Sequence, residues 1–427
     1  MDETNVTPDD AARTVRRVVE RIEEAAVVDR EVLHAMLSAT LARGHVLLED
    51  VPGTGKTVTA RVIAEAMGLE FTRIQFTPDL LPSDVTGSTI YDDQTGEFEF
   101  AAGPVFTNVV LADEINRAPP KTQAALLEAM EEGQVSVDGT TYDLPEPFLV
   151  VATQNPIEQE GTFRLPEAQR DRFSVKTSLG YPDFEGEMGL LERRANRRSL
   201  SPSVDPVASR DTVRLLQTLT EEVTVDEKIR RYIVEIARKT RADQRAEIGV
   251  SPRGVQRVFE AARAAALIDG RSYVTPDDIK RLAQPTMAHR IVLTTEATVE
   301  GVDGSAVVRH AVNAVDVPAV APGTDEPTPA TDPGTESAEP NGDDPDTASD
   351  TESAEPRSDN PDTEVADQRS DDAETEWAEP RSDSPDSTAS PEPDSAHDDS
   401  ADSDSTADPD SDSSHTHDRQ EDPWSDD

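Results

Sequence analysis

Val46-Leu47-Leu48-Glu49-Asp50-Val51-Pro52-Gly53-Thr54-Gly55-Lys56-Thr57 is the stretch on which the fold turns. Three consecutive large apolar residues read as a strand buried on both faces, the pattern of a parallel sheet. The Pro-Gly-Thr-Gly turn that follows opens a helix carrying Val58, Val62, Ile63 and Met67 at helical spacing. A glycine-rich turn between strand and helix lets backbone N–H groups curl inward around phosphate oxygens, and the helix dipole adds to the attraction. Lys56 is spaced to reach the outer phosphates and Thr57 to ligate their magnesium ion. The strict phosphate-loop pattern begins with glycine, whereas Asp50 stands there.

Two further apolar runs, Val109–Ala112 and Phe148–Ala152, have the same buried-strand character, and each feeds a polar turn. In open α/β sheets ligands bind at the carboxyl ends of such strands. The first run ends in Asp113-Glu114, 57 residues beyond Lys56. One carboxylate at that place would hold a metal and the other would polarise water as a general base. The second run ends in Thr153-Gln154-Asn155-Pro156, where the Asn155 amide suits the task of orienting the attacking water. Downstream, Arg170-Asp171-Arg172-Phe173 and Ser251-Pro252-Arg253-Gly254 offer guanidinium groups to neutralise a transferring phosphoryl group. Taken singly, each of these arginines would read as a solvated surface residue.

Around this centre the chain has a simple organisation. Residues 1–44 read as N-terminal helices leading into an α/β core over 45–182. A helical domain over 183–295 follows, opened repeatedly by capping signals such as Thr224–Glu227, Ser251-Pro252 and Thr275-Pro276. Residues 296–320 read as a linker or terminal strand. The stretch 321–427 carries 36 acidic residues against four arginines and no lysine, with a degenerate TESAEP-type repeat and only Val365, Trp377 and Trp424 as large apolar residues. Such a composition cannot offset its ordering entropy, so disorder is expected there.

The remaining 320 residues still hold 52 acids against 36 bases, and the whole chain has only six lysines. An acidic, lysine-poor body suits concentrated salt, where the Debye length shrinks to about 3 Å at 1 M. There is no cysteine, which excludes disulfides, thiolate zinc sites and a cysteine nucleophile. Neither a signal peptide nor a run of about 20 apolar residues occurs, so a cytoplasmic protein without membrane insertion is expected. The histidines form no constellation: His34, His45, His289 and His310 read as structural, and His415 and His417 fall in the acidic stretch.

Four segments in order carry a family resemblance: LLEDVPGTGKT (47–57), VVLADEINRAPPKTQAALLEAMEEGQVSVDG (109–139), VATQNPIEQEGTFRLPEAQRDRF (151–173) and SPRG (251–254). Over roughly residues 10–295 the chain resembles the MoxR family of AAA+ ATPases. The resemblance implies an α/β P-loop NTPase domain with a parallel sheet and an all-α lid, using ATP and Mg2+. It makes Asp50, Val51, Pro52, Gly53, Thr54, Gly55, Lys56 and Thr57 the Walker A loop, Asp113 and Glu114 Walker B, and Asn155 sensor 1. Arg172 becomes the arginine finger and Arg253 sensor 2. Arg170 departs from the apolar residue expected there, so Arg170 and Arg172 both stand as candidates for the finger. A β insert near 76–104 and a hairpin within 134–148 are implied, both directed at the channel of a homo-oligomeric ring, a hexamer by analogy. The implied role is chaperone-like, acting on proteins with von Willebrand factor A domains. A nucleic-acid motor or a metal-chelatase motor subunit of the same branch is the alternative. Residues 77–84 of the insert carry no Lys or Arg, so an interface with nucleic acid is not expected.

Overall fold

The structure is a computed structural model that describes residues 7–156, 162–163, 165–196 and 203–319. The acidic repeat stretch, and with it the expectation of disorder over 321–427, lies outside the described residues.

The N-terminal part runs α1 (Pro8–Ala25), α2 (Arg30–Leu41), β1 (Val46–Glu49), α3 (Lys56–Ala66), β2 (Phe71–Gln75), α4 (Pro82–Thr86), β3 (Gly87–Asp92), β4 (Glu97–Ala102) and β5 (Val109–Asp113). It continues through α5 (Pro120–Glu132), β6 (Gln134–Val137), β7 (Thr140–Asp143), β8 (Leu149–Gln154), α6 (Glu167–Arg170) and β9 (Val175–Thr177). The lid comprises α7 (Phe184–Asn196), α8 (Arg210–Glu222), α9 (Glu227–Arg241), β10 (Ala246–Ile248), α10 (Pro252–Ile268), α11 (Pro276–Met287), β11 (Val292–Leu293), α12 (Thr295–Val299) and α13 (Gly304–Ala314).

Five strands form one sheet in the order β2-β5-β8-β1-β9, with every pairing parallel. The apolar runs divide between the two faces because successive side chains of a strand point in opposite directions. Val46, Leu48, Val109, Leu111, Leu149 and Val151 face the layer made by α1, α2, α3 and the lid. Leu47, Val110, Ala112, Val150 and Ala152 face the layer that contains Leu126, Leu127 and Met130 of α5. Burial on both sides explains why these strands are apolar throughout rather than alternating.

The helices begin where their side chains satisfy free N–H groups. Thr7 and Asp10 form a reciprocal cap on α1, Asp29 accepts from Glu31 and Val32 at α2, and Ser251 accepts from Gly254 at α10. The insert over 76–104 is α4 followed by the β3–β4 hairpin, and β6–β7 form the second hairpin across an Asp138-Gly139 turn with both φ angles positive.

Two expectations need correction. The expected linker or terminal strand over 296–320 is helical instead through residue 314: α12 and α13 lie at Thr295–Val299 and Gly304–Ala314, and Val307, Val308 and Ala311 are buried. Thr294 and Asp303 cap these helices, and the apolar residues are spaced to face α9 and α11. The lid is also not wholly helical, since β10 and β11 pair antiparallel beside α9.

Candidate active site

The sheet order sets three strand ends side by side. β1 runs into the Gly-rich loop, its neighbour β8 ends just before Asn155, and the next strand, β5, ends at Asp113. Residues some hundred positions apart therefore share one edge.

Gly53 and Gly55 both have φ of +88°, which a side chain would oppose, and a Cβ on either would meet nothing within 4 Å. The loop is thus curled around open space, and Gly55 forms the N-cap of α3. Lys56 reaches back over it, its Nζ donating to the carbonyls of Asp50 and Val51 at 2.8 Å each. Thr54 Oγ1 donates to Val51 at 3.3 Å, and Thr57 stands in the first turn of α3. Pro52 is exposed on the rim of the loop.

The Asp50 side chain has partners outside the loop. Its carboxylate is buried and accepts from the Ser178 hydroxyl at 2.7 Å and from the N–H groups of Leu179 and Gly180 at 2.6 and 3.2 Å. This side chain ties the start of the loop to the segment leaving β9. Asp50 stands where the strict pattern has glycine because a carboxylate there satisfies three donors at once.

The Asp113 carboxylate is held on both oxygens: Thr153 Oγ1 donates to one at 2.6 Å, and Arg73 donates to the other at 2.7 and 3.0 Å. Glu114 follows in the left-handed region at φ 56°, which is uncommon for a residue with a side chain and is concentrated at functional sites. Thr153 Oγ1 accepts from the Glu114 N–H at 2.8 Å, so one hydroxyl fixes both acids. Gln75 and Arg117 donate to Glu114 Oε2 at 2.8 and 3.0 Å. Asn155 is buried at the end of the intervening strand. Arg73 and Gln75 escaped notice in the sequence, where an arginine in a half-exposed strand reads as solvated.

The arginines form a separate cluster. Glu131, in the last turn of α5, pairs through Oε2 with Arg172 at 3.2 Å and through Oε1 with Arg253 at 3.0 Å. Beside it Asp171 accepts from Arg290 Nε at 2.7 Å, and Arg290 Nη2 donates to the carbonyls of Asp171 and Phe173. The Arg290 guanidinium is almost wholly buried, and that burial brings its pKa down to about 10 despite the Asp171 charge. Phe173 and Ser174 lead directly into β9, and the neighbouring Met130 carbonyl is bound by His45 at the entrance of β1. The cluster therefore lies at the amino-terminal edge of the sheet. Five residue steps, from His45 through β1 to Asp50, separate that edge from the loop, roughly 16 Å at about 3.3 Å per residue. Arg170, the other finger candidate, lies in α6 and lines a cleft between β9 and the lid.

A second cleft, of about 1060 Å³, opens at Gly53–Gly55 and continues between Val27, Tyr181, Pro182 and Leu190. It has the size and the mixed polar and apolar lining of a small-molecule site. No specific sequence signal pointed to Tyr181 or α7 as its wall.

Among the described residues no group of three or more His, Cys, Asp or Glu side chains could cage a metal. Thr57 and Asp113 can supply two oxygens, which fits magnesium carried on phosphates rather than a resident ion.

Comparison with known proteins identifies the family. A family model described as an ATPase family associated with various cellular activities matches residues 45–175, and an AAA lid domain model matches 238–311. The chain is 39% identical over 316 residues to Chaperone MoxR1 of Mycobacterium tuberculosis, covering 72% of this chain and 83% of that protein. It is 51% identical over 302 residues to the protein YeaC of Bacillus subtilis, covering 71% of this chain and 94% of that protein. A crystal structure of a candidate ATPase from Cytophaga hutchinsonii superimposes with a TM-score of 0.68 at 40% identity, covering 72% of this chain and 96% of that one. With an ATPase-family model over the parallel sheet and its loops, a lid model over the helices that follow, and 39% identity across most of Chaperone MoxR1, the chain belongs to the MoxR family of AAA+ ATPases.

Proposed function

We propose that the protein hydrolyses Mg2+-bound ATP at the carboxyl edge of its sheet and uses the energy to remodel partner proteins. The observation that carries the reading is the alignment of three adjacent strand ends, which bring the Gly-rich loop, Asn155 and the Asp113–Glu114 pair to one edge. Lys56, which donates to two carbonyls, would turn to the outer phosphate oxygens, and Thr57 and Asp113 would hold the magnesium ion. Glu114, steadied by Gln75 and Arg117, takes the proton of the attacking water, which Asn155 orients. The cleft beyond Gly53–Gly55 is the place for the nucleoside.

Arg172 and Arg253 belong to the opposite edge, too far from their own loop to serve it. Their use as phosphate-directed guanidiniums then requires a neighbouring subunit, and a head-to-tail repeat of that contact closes into a ring. We take the ring to be a hexamer. Exposed Tyr181, Phe184 and Leu191 beside the cleft give such an interface apolar area to bury. The name Chaperone MoxR1 borne by a relative supports a chaperone-like role, and we propose proteins with von Willebrand factor A domains as its clients. Among the described residues no helix is long and apolar enough to cross a membrane, and a cytoplasmic location fits the reading.

The test is steady-state ATP hydrolysis with and without magnesium, together with nucleotide binding by Glu114→Gln. The variant should bind ATP and not turn it over. Undiminished turnover in Glu114→Gln would remove the assignment.

A further inference from the structure

We propose that Glu131 is a positioning residue that fixes Arg172 of the core and Arg253 of the lid as a pair, ready to act together on a neighbour's nucleotide. This rests on the reading above that the two arginines act across a subunit boundary. Each oxygen of the Glu131 carboxylate takes one guanidinium, at 3.2 and 3.0 Å. A guanidinium has five N–H donors, so pairing with Glu131 leaves each arginine donors to present outward. The three side chains are about one-third exposed, so the pair is shielded on one side and open on the other. One planar carboxylate thereby sets the spacing of two cations to a distance that a single tetrahedral anion can also bridge.

The placement of Glu131 runs against local preference. It stands in the last turn of α5, which holds no basic residue, so a carboxylate there meets the negative end of the helix dipole. A residue that costs its own helix is accounted for by what it does elsewhere, here by holding two arginines drawn from segments 81 residues apart. Asp171 completes the device, holding Arg290 firmly and approaching Arg253 Nε at 3.9 Å.

Subunit mixing distinguishes action on a neighbour's nucleotide from action within the same subunit. Uniform Glu131→Ala assemblies should bind ATP like the wild type, with an unchanged KM and a kcat lower by about 10²-fold, the cost of a misplaced catalytic group. Glu131→Gln, which keeps one acceptor oxygen and the side-chain volume, should lose less and guards against a folding defect. Glu131→Ala mixed with Glu114→Gln should recover activity, since the first supplies intact Glu114 and the second an intact arginine pair. Glu131→Ala mixed with Arg172→Ala should recover none, because both lesions lie on the same face. Recovery in that second mixture, or none in the first, overturns the proposal. So does wild-type kcat in uniform Glu131→Ala. The control is Arg172→Ala mixed with Glu114→Gln: its failure to recover, in proven co-assemblies, would instead remove the cross-boundary reading on which the proposal stands.

Discussion

Replacing Asp50 separates two roles that its position in the loop confounds. If the carboxylate served the nucleotide, Asp50→Ala would weaken binding and leave folding alone. The structure assigns it to Ser178, Leu179 and Gly180, with three donors converging on a buried group. Hydrogen bonds to a charged acceptor contribute about 1.5–3 kcal/mol each, and an N–H left buried without a partner costs about 1–3 kcal/mol. The three bonds share one side chain and water can partly replace it, so they do not add in full. We therefore expect Asp50→Ala to lower the free energy of unfolding by about 3–5 kcal/mol and Asp50→Asn by about 1.5–3 kcal/mol. Urea unfolding followed by circular dichroism reads both values. Nucleotide affinity of the folded Asn variant should fall by no more than about tenfold, or about 1.4 kcal/mol, because the inward-facing loop backbone is untouched. A double-mutant cycle with Ser178→Ala should return a coupling of about 0.5–3 kcal/mol. An Asp50→Ala protein as stable as the wild type, with nucleotide binding abolished, would refute this reasoning.

Lys56→Ala should abolish nucleotide binding or weaken it severely, whereas Glu114→Gln should retain binding and lose turnover; equilibrium binding and steady-state ATPase assays on the two variants distinguish these outcomes. Asp171→Ala strands the buried Arg290 guanidinium and should cost about 3–5 kcal/mol, while Asp171→Ala combined with Arg290→Met should cost less than the single change in the same unfolding assay. Burial holds the His45 pKa down at about 4, so its neutral form stabilises the fold fully above about pH 6.5 and that contribution is lost as pH falls towards 4. The stability difference between wild type and His45→Gln should accordingly shrink by about 3 kcal/mol between pH 7 and pH 4, and a flat difference would count against a buried neutral imidazole. Deleting 321–427 should leave ATPase activity and the thermal transition of the remainder nearly unchanged, since that stretch has three large apolar residues to contribute; a large fall in melting temperature would contradict it.

The parts of the fold that were legible in the sequence were those whose local chemistry has one reading. β1, β5 and β8 are apolar throughout because both faces are covered, and the capping residues marked where α10 and α11 begin. β2 and β9, at the two edges of the sheet, escaped: Arg73 and Lys176 interrupt them, and β9 is three residues long. α12 and α13 were read as a linker because they follow the stretch that carries the family motifs, although Val307, Val308 and Ala311 already had helical spacing. In the candidate site, the Gly-rich loop and Asp113–Glu114 could be paired because a phosphate loop and a strand-end acid pair are linked by known chemistry. Nothing comparable links Glu131 to Arg253 or Asp171 to Arg290. Those pairs span 122 and 119 residues, and each charge by itself looks like ordinary surface.

These long-range pairs explain how the two edges of the sheet are held in relation to one another. β9 is bracketed by two acids. Asp171 precedes it and grips Arg290 in the turn just beyond α11, and Asp50 grips the backbone that follows it at Leu179 and Gly180. One acid thus anchors the arginine segment to the lid, and the other anchors the Gly-rich loop to the segment from which α7, the first lid helix, departs. A shift of the lid would pull on both bonds, one at each edge of the sheet. A carboxylate at either place costs desolvation that an apolar residue would avoid, and such costs are retained where a group must be aimed rather than merely buried. Asp50 and Asp171 hold two different parts, the Gly-rich loop and the arginine cluster, from opposite ends of the same three-residue strand.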